Sequence, residues 1–289
     1  MNRLALGTAQ FGSSYGVANQ TGQVTRVEAK SMLNLALNKG ISMLDTAITY
    51  GQSEAFLGEI GVDSFKIITK LPRVPDNCIN IYKWVKLQID DALLRLGVTS
   101  IYGVLLHQPD QLLGTNGQLL YEALQSLKEN SKVQKVGISI YSPNELTELL
   151  QAYRFDLVQA PFNLVDRRLL SSGWMYRMKD YGIEVHTRSA FLQGLLLMSQ
   201  VNMPNKFSPW GILWDQWYRW LAEHDVSAVQ ACLAFPLSFS EIDRVIVGAD
   251  SVRQLDQIVG AIQIQPVDFL PNLNCEDVNL VNPANWDLL

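Results

Sequence analysis

The chain has 289 residues, of which 48% are hydrophobic, so it is long enough to bury a full core, and we predict one domain over residues 1–289. Acidic residues outnumber basic ones by 28 to 23, which excludes a basic surface of the kind that binds nucleic acid or an anionic membrane. Three scattered cysteines, the lack of a signal-like N-terminus and the lack of an apolar run of about twenty residues predict a cytoplasmic protein without disulfides, zinc or a membrane span.

Short apolar runs alternate with helical patterns along the chain. Strands separated throughout by helical segments indicate parallel crossovers and an α/β class. An additional helix over 210–223 precedes the one predicted over 227–235, and an irregular tail after Pro266 is expected to drape over the core. The eight strands are predicted at residues 3–7, 41–44, 65–70, 101–107, 135–139, 156–159, 183–188 and 244–248.

Several helices carry start and stop signals. Thr25 with Glu28, and Ser142 with Glu145, have the spacing of capping boxes, in which each side chain bonds the other residue's backbone N–H. Ser53 has the residue type of an N-cap for the helix that contains Phe56. Further helices are predicted over 81–96 and 119–127.

Four polar residues follow or end three consecutive strands. Asp45 ends the second strand and Tyr50 lies in the loop after it, while Lys70 and His107 end the third and fourth. In a barrel of parallel strands, the carboxyl ends meet at one rim, which carries the active site. Singly, each residue is more often structural, an Asp that organises a turn or a Tyr that covers the core. Together at one rim they favour a catalytic group.

The same segments resemble the aldo-keto reductase superfamily. The residues that carry the resemblance are 6–12 (LGTAQFG), 45–47 (DTA), Tyr50-Gly51, Ser53-Glu54, 69–70 (TK) and 106–107 (LH), and matching landmarks continue to about Gln257. The resemblance implies a single (β/α)₈ barrel that transfers a hydride between NAD(P)H and a carbonyl or alcohol. It also implies Tyr50 as proton donor.

The chemistry of such a reaction suits these four side chains. Hydride transfer to a carbonyl builds negative charge on its oxygen, and tyrosine, with a reference pKa of about 10, is a reluctant donor at neutral pH. An ammonium such as that of Lys70 favours the phenolate, and Asp45 would hold the ammonium in place. His107 can orient the carbonyl and support the developing oxyanion.

The resemblance also implies a cofactor site. Ser139 and Gln159, at the ends of strands five and six, would bond the nicotinamide carboxamide. Arg188 stands where the family usually has an aromatic residue stacked on the nicotinamide, and it either stacks there or turns towards an acid or a cofactor phosphate. Asn163 is expected to organise its loop. The remaining cofactor contacts are expected at Gly7, Thr8, Ser189, Phe191, Gln193, Gly248, Ala249, Asp250, Arg253, Gln254 and Gln257.

The segment after the eighth strand would hold the adenosine phosphates, since a glycine turn that opens a helix offers N–H groups to an anion. A lysine usual in the family is replaced by Gly248, and Asp250 adds negative charge. Arg253 can compensate for both. We therefore expect NADP(H) to be favoured, with NAD(H) possible.

Rim residues suggest a polar substrate pocket. Substrate contacts are expected at Phe11, Tyr15, Gln108 and Trp210. The polar rim residues Tyr15, Gln108 and Asp110 favour a sugar-like or otherwise hydroxylated carbonyl, although the sequence names no substrate and no oligomeric state. Trp210 begins a stripe with Trp214, Trp217 and Trp220 that favours core packing, and His186 and His224 are expected to be structural.

Two other functions stay open at this stage. One is a regulatory module that binds a cofactor without significant turnover, as in channel β subunits that resemble the same family. The other is a barrel isomerase or lyase with Lys70 as a Schiff-base amine, which Asp45 and Tyr50 beside it disfavour.

Overall fold

Eight parallel strands close into a barrel in sequence order, with the first strand paired to the last. The computed structural model describes residues 2–262 and 270–289. The architecture confirms the predicted (β/α)₈ fold. The strands are β1 Leu4–Gly7, β2 Met43–Asp45, β3 Lys66–Leu71, β4 Ile101–Leu106, β5 Val133–Ser139, β6 Leu157–Pro161, β7 Glu184–Arg188 and β8 Arg244–Val247.

Helices connect the strands and surround the barrel. Within the described ranges, none is long and apolar enough to cross a membrane. The α-helices are α1 Ala9–Gly12, α2 Arg26–Asn38, α3 Ser53–Ile60, α4 Ile81–Leu96, α5 Gly117–Glu129, α6 Glu145–Ala152, α7 Arg168–Ser171, α8 Trp174–Asp180, α9 Gly211–His224, α10 Ala228–Leu237, α11 Val252–Ala261 and α12 Val278–Val281. Single 3₁₀ segments occur at Pro109–Leu113, Leu195–Leu197, Gln200–Asn202, Asn205–Trp210 and Pro283–Leu288.

The core has two layers. A small cluster that includes Met43, Ile68 and Leu105 packs inside the barrel, and a larger one lies between strands and helices. Helix α4 shows how the sequence builds the outer layer, because its buried residues recur at helical spacing. It ends at Gly97, whose φ of 68° is readily adopted only by glycine.

The predicted caps are partly confirmed. The Thr25 side chain accepts the backbone N–H of Glu28 and begins α2. The Glu28 side chain does not return the bond; its Oε1 accepts the N–H of Val252 at 2.6 Å, at the start of α11. At the second box, the Glu145 carboxylate accepts the N–H of Ser142, but the helix begins at Glu145 and the serine hydroxyl does not cap it.

The predicted role of Ser53 is wrong. Gln52 precedes α3 and Ser53 lies inside its first turn. The Ser53 hydroxyl is fully buried and donates to Thr8, while it also lies 3.1 Å from the Thr46 hydroxyl. A side chain that satisfies a buried network between β1 and β2 is not available to the helix end.

The predicted additional helix before the seventh barrel helix is confirmed as α9, ahead of α10. Trp214, Trp217 and Trp220 are buried, as the stripe predicted. The predicted tail begins at Pro266, and its residues up to 269 lie outside the described ranges. From residue 270 onwards it is irregular apart from short helical turns, and it packs on the barrel through buried residues such as Leu280 and Trp286.

Candidate active site

A cavity of about 770 Å³ opens at the carboxyl ends of the strands. It spans the rim from the loop after β4 to the start of α11. All four predicted catalytic residues line it, namely Asp45, Tyr50, Lys70 and His107. So do thirteen of the predicted cofactor residues, namely Gly7, Thr8, Ser139, Gln159, Arg188, Ser189, Phe191, Gln193, Gly248, Ala249, Asp250, Gln254 and Gln257.

The most deeply buried charge in the cavity wall is the ammonium of Lys70. Its residue is 1% exposed, and its Nζ lies 2.6 Å from Asp45 Oδ2 and 3.0 Å from the carbonyl oxygen of Thr46. Burial lowers the pKa of Lys70, but the Asp45 carboxylate and the Tyr50 phenol outweigh it, so the pKa is raised overall. The lysine therefore stays charged at neutral pH.

The other two groups flank this ion pair. The Lys70 Nζ lies 5.2 Å from the centre of the Tyr50 ring, and the Tyr50 and His107 rings meet edge to face at 6.1 Å. Burial, followed by the charges of Lys70 and Arg188, lowers the pKa of His107 to about 4. A neutral imidazole thus faces the cavity, and it can donate one N–H without adding charge.

The loop that carries Tyr50 is fixed by a close approach of two glycines. A Cβ on Gly12 would lie 1.6 Å from the backbone oxygen of Tyr50, and one on Gly51 would lie 2.4 Å from the oxygen of Gly12. Gly51 also has a φ of +53°. Only glycines fit this contact between the end of α1 and the loop after β2, so the two positions determine where the phenol lies.

A buried polar chain supports the ion pair from the opposite wall. Gln159 Nε2 donates to the second carboxylate oxygen of Asp45 at 2.7 Å, and Ser139 Oγ lies 3.4 Å from Gln159 Oε1. All three residues are at most 5% exposed. The amide oxygen of Gln159 and the hydroxyl of Ser139 line the cavity and keep bonding capacity for a ligand.

Arg188 ends β7 and lines the cavity at the end that also contains Ser139 and Gln159. One of its terminal nitrogens donates to the Ile140 carbonyl at 3.1 Å and the other to Ser189 Oγ at 3.3 Å. Its guanidinium lies 4.7 Å from the centre of the Tyr141 ring. Among the described residues, Arg188 forms no ion pair with an acid.

The far end of the cavity, at the start of α11, is acidic. Asp250 lines it and accepts from Asn19 Nδ2 at 3.2 Å, and burial raises the pKa of this carboxyl. Nearby, the Glu28 carboxylate occupies the N–H of Val252. A Cβ on Gly248 would lie 2.5 Å from Gln10 Nε2, so a glycine at this position allows the Gln10 side chain to pack against the wall.

Four predicted residues do not reach the cavity wall. Phe11 is fully buried in the core, and Gln108 and Arg253 are exposed on the outside. Trp210 packs near Phe207 and donates to Asp277 of the tail. Of the predicted substrate contacts, only Tyr15 lines the cavity.

The wall also contains residues that the sequence did not single out. Tyr141 and Gln10 lie next to predicted positions, and a rule that included the first few residues after each strand would have found both. Asn19, from the loop after β1, and Pro283 and Ala284, from the tail, carried no sequence signal. Asn163 organises its loop as expected, since its Oδ1 accepts the N–H groups of Val165 and Asp166.

Known proteins share this sequence pattern and architecture. The aldo/keto reductase family model matches residues 3–269. Oxidoreductase sirO of Leptosphaeria maculans is 23% identical, with 92% of this chain and 90% of that protein covered. NADH-specific methylglyoxal reductase of Escherichia coli K12 is 24% identical, with 93% and 92% covered. The aldo-keto reductase AKR11C1 from Bacillus halodurans, in its holo form, has the same fold, with a TM-score of 0.71, 22% identity, and 92% of this chain and 88% of that chain covered.

Proposed function

The chain belongs to the aldo/keto reductase family, whose members are NAD(P)H-dependent oxidoreductases of carbonyl compounds, and we propose that Tyr50 is its proton donor. As a carbonyl becomes an alcohol, its carbon gains a hydride and its oxygen gains a proton. When bound, the reduced nicotinamide supplies the hydride. The phenol of Tyr50 supplies the proton.

The observation that carries this proposal is the buried ion pair of Lys70 and Asp45 beside the phenol. Burial of Lys70, which is 1% exposed, together with Asp45 costs free energy, because two charges must leave water. The buried pair therefore indicates a functional role. Its ammonium stabilises the phenolate that forms when Tyr50 gives up its proton. Asp45, held from the other side by Gln159, keeps the ammonium charged and in place.

His107 completes the group as an uncharged donor. Because its pKa is about 4, the imidazole is neutral over the physiological range. A neutral N–H positions the carbonyl oxygen and supports its developing negative charge without competing with Tyr50 for the proton transfer.

The cavity fits a nicotinamide cofactor laid from the strand ends to α11. Ser139 and the amide oxygen of Gln159 would hold the carboxamide, next to the proton donor. Gly248 and the loop after it would hold the phosphates, next to the side chain of Gln10, which also lines the cavity. Of the thirteen predicted cofactor residues that line the cavity, this arrangement uses Ser139, Gln159, Gly248 and the residues that follow Gly248.

We propose that NADH is preferred over NADPH, whereas the sequence favoured NADP(H). The 2′-phosphate of NADPH carries nearly two negative charges, and Asp250 lines the end of the cavity at α11. The Glu28 carboxylate adds negative charge two residues further along the chain, where it accepts the N–H of Val252. Within the described part of the chain, the lysine and arginine of the cavity wall, Lys70 and Arg188, both belong to the other end. One relative is named an NADH-specific methylglyoxal reductase, which supports the same preference.

A polar, hydroxylated carbonyl is the proposed substrate. Gln193 and Tyr15 line the cavity with their side-chain polar atoms 3.4 Å apart, so both can bond hydroxyl groups of a ligand. This is the part of the sugar-like expectation that the cavity supports, since Gln108 lies outside it.

The test is turnover with a panel of aldehydes and hydroxyaldehydes, followed by the loss of NADH absorbance. We expect the wild-type protein to reduce some of these carbonyls and Tyr50→Phe to do so at least about a hundredfold more slowly. Quenching of cofactor fluorescence on binding should be retained in both proteins. Cofactor binding without reduction of any carbonyl by the wild-type protein would instead support the regulatory module. Absence of cofactor binding would contradict both.

A further inference from the structure

Arg188 presents a held positive charge to the cavity. The residue is half-buried, and two of the five N–H donors of its guanidinium are used by Ile140 and Ser189. Its plane is supported by the Tyr141 ring at 4.7 Å. A guanidinium fixed from two sides loses little freedom when it binds a ligand, so its remaining donors are preorganised.

No acid in the described part of the cavity wall balances this charge. Asp45 is paired with Lys70 at 2.6 Å. Asp250 accepts a hydrogen bond from Asn19, in the loop between α1 and α2, at the other end of the cavity. His107, being neutral, contributes no charge of its own. The end of the cavity that contains Tyr50, Lys70 and His107, called the catalytic end below, therefore carries one net positive charge. A half-buried charge of this kind is stabilised by an anion.

The position of Arg188 indicates which ligand would supply such an anion. Arg188 ends β7 beside Pro161 of β6, and its guanidinium donates to the carbonyl of Ile140, the residue after Ser139. Asp250 follows β8 and lies at the start of α11. The guanidinium therefore lies beside the strand ends that line the proposed site of carbonyl reduction, and not at the end assigned to the adenosine phosphates.

We propose that the substrate is a carbonyl compound that also carries a carboxylate, and that Arg188 binds this carboxylate while the carbonyl faces Tyr50 and His107. The inference rests on the proposed reductase function and narrows its substrate class. A planar guanidinium matches a carboxylate with two parallel hydrogen bonds. Hydroxyl groups of the same substrate would meet Tyr15 and Gln193.

The test compares each carboxybenzaldehyde, as the meta and para isomers, with its methyl ester, which has the same ring and aldehyde but no charge. We expect the wild-type protein to reduce at least one acid with a higher kcat/KM than its ester. In Arg188→Gln the acid-to-ester ratio of kcat/KM should fall by about ten- to a hundredfold, the range for one charge-assisted hydrogen bond. Arg188→Lys should retain part of the preference for the acid over the ester, since lysine keeps the charge but lacks the two parallel N–H donors of a guanidinium.

Two controls separate charge from other causes. Arg219→Gln removes the same charge at an exposed position of α9, and its acid-to-ester ratio should equal that of the wild-type protein. The dissociation constant of NADH, from fluorescence titration, is measured for every variant. If the ratio is unchanged in Arg188→Gln while NADH binds more weakly, the guanidinium serves a cofactor phosphate and the proposal is wrong.

A binding readout keeps the proposal testable apart from catalysis. Benzoate carries the carboxylate without an aldehyde, and benzamide is its uncharged counterpart. Calorimetry should show benzoate, but not benzamide, binding to the NADH complex of the wild-type protein and losing affinity in Arg188→Gln. If benzoate binds in this way while no aldehyde is reduced, the proposed reductase function fails and the carboxylate site stands. If aldehydes are reduced but acids and benzoate show no dependence on Arg188, the carboxylate site fails and the reductase stands.

Discussion

The two ends of the cavity arrange their charges in opposite ways. At the catalytic end, the buried Lys70 is paired with Asp45 at 2.6 Å, and Arg188 adds a second positive charge. At the end formed by α11, Asp250 is in the wall, Glu28 bonds the helix N-terminus, and Arg253 stays outside. These charges favour an anion at the end where we propose that the carbonyl reacts, and they disfavour additional negative charge where the adenosine part of a cofactor would lie.

The largest expected effect concerns the catalytic end. Replacement of Tyr50 by Phe removes the phenolic proton and keeps the ring, so the edge-to-face contact with His107 can persist. We expect kcat for carbonyl reduction to fall by about a hundred- to ten-thousandfold, the usual contribution of a general acid. The NADH dissociation constant should change little.

Fluorescence titration of the same variant distinguishes chemistry from folding. If the variant binds NADH normally but does not reduce the carbonyl, the step that is lost is proton transfer. Near-normal turnover would remove Tyr50 from the role of proton donor, and with it the contrast between a catalytic end and a binding end.

The difference between the two ends also explains what the sequence could predict. Asp45, Lys70 and His107 lie at or next to the ends of strands, and the barrel topology alone brings strand ends together. At the other end the same rule brings Gly248, Ala249 and Asp250 to the rim, because they follow β8, but it does not determine contacts between helices. Glu28 looked like the second half of a capping box, and only the three-dimensional contact between α2 and α11 shows that it bonds Val252 instead.

Long side chains and loops account for the remaining differences. Arg253 was expected at the phosphate because it lies near the start of the last barrel helix, but it is exposed on that helix and does not line the cavity. Trp210 was expected at the substrate because of its loop, but its indole donates to Asp277. Both outcomes depend on side-chain direction and on the path of the tail, which local sequence does not determine.

The second prediction removes the ion pair at its buried half. In Lys70→Met, the Asp45 carboxylate stays buried without its cation, although Gln159 still donates to it. We expect the free energy of unfolding to fall by about 3–5 kcal/mol, the usual cost of a buried charge that has lost its partner. Activity should be lost, with the pH profile of any remainder moved upward, because no ammonium assists the phenol.

Urea unfolding of Lys70→Met and of the double variant Asp45→Asn/Lys70→Met measures this cost. The double variant should be the more stable of the two, since it buries no unpaired charge. If the single variant is as stable as the wild-type protein, the ion pair is not the buried, coupled unit that the geometry indicates.

The third prediction concerns pH. The pKa of His107 falls from 6.5 to about 4 on folding, so between these values the unfolded chain binds more protons than the folded one. Folded-state stability should therefore decrease as the pH falls from 6.5 to 4, and this contribution should be constant above pH 6.5.

Melting temperatures of the wild-type protein and of His107→Gln across this pH range isolate the effect, because all other groups are common to both. The variant should lose less stability on acidification. Parallel curves for the two proteins would show that His107 has the same proton affinity folded and unfolded, and that the catalytic end is more hydrated than its burial indicates.

The fourth and smallest effect is expected at the other end. Asp250 is half-buried in the cavity wall, so Asp250→Asn should narrow the preference for NADH over NADPH by up to about fivefold, the equivalent of about 1 kcal/mol for a partly screened charge. Arg253→Ala, on the same loop and helix, should change the ratio of the two dissociation constants by less than about twofold. An exposed guanidinium that does not line the cavity interacts with a bound phosphate only through solvent, where screening is strong.

Titration of NADH and NADPH against the wild-type protein, Asp250→Asn and Arg253→Ala measures both effects. If Arg253→Ala weakens NADPH tenfold or more and leaves NADH unchanged, the arginine swings into the site when NADPH binds. The acidic character of this end would then be a property of the protein without cofactor, and the contrast between the two ends would hold for that state alone.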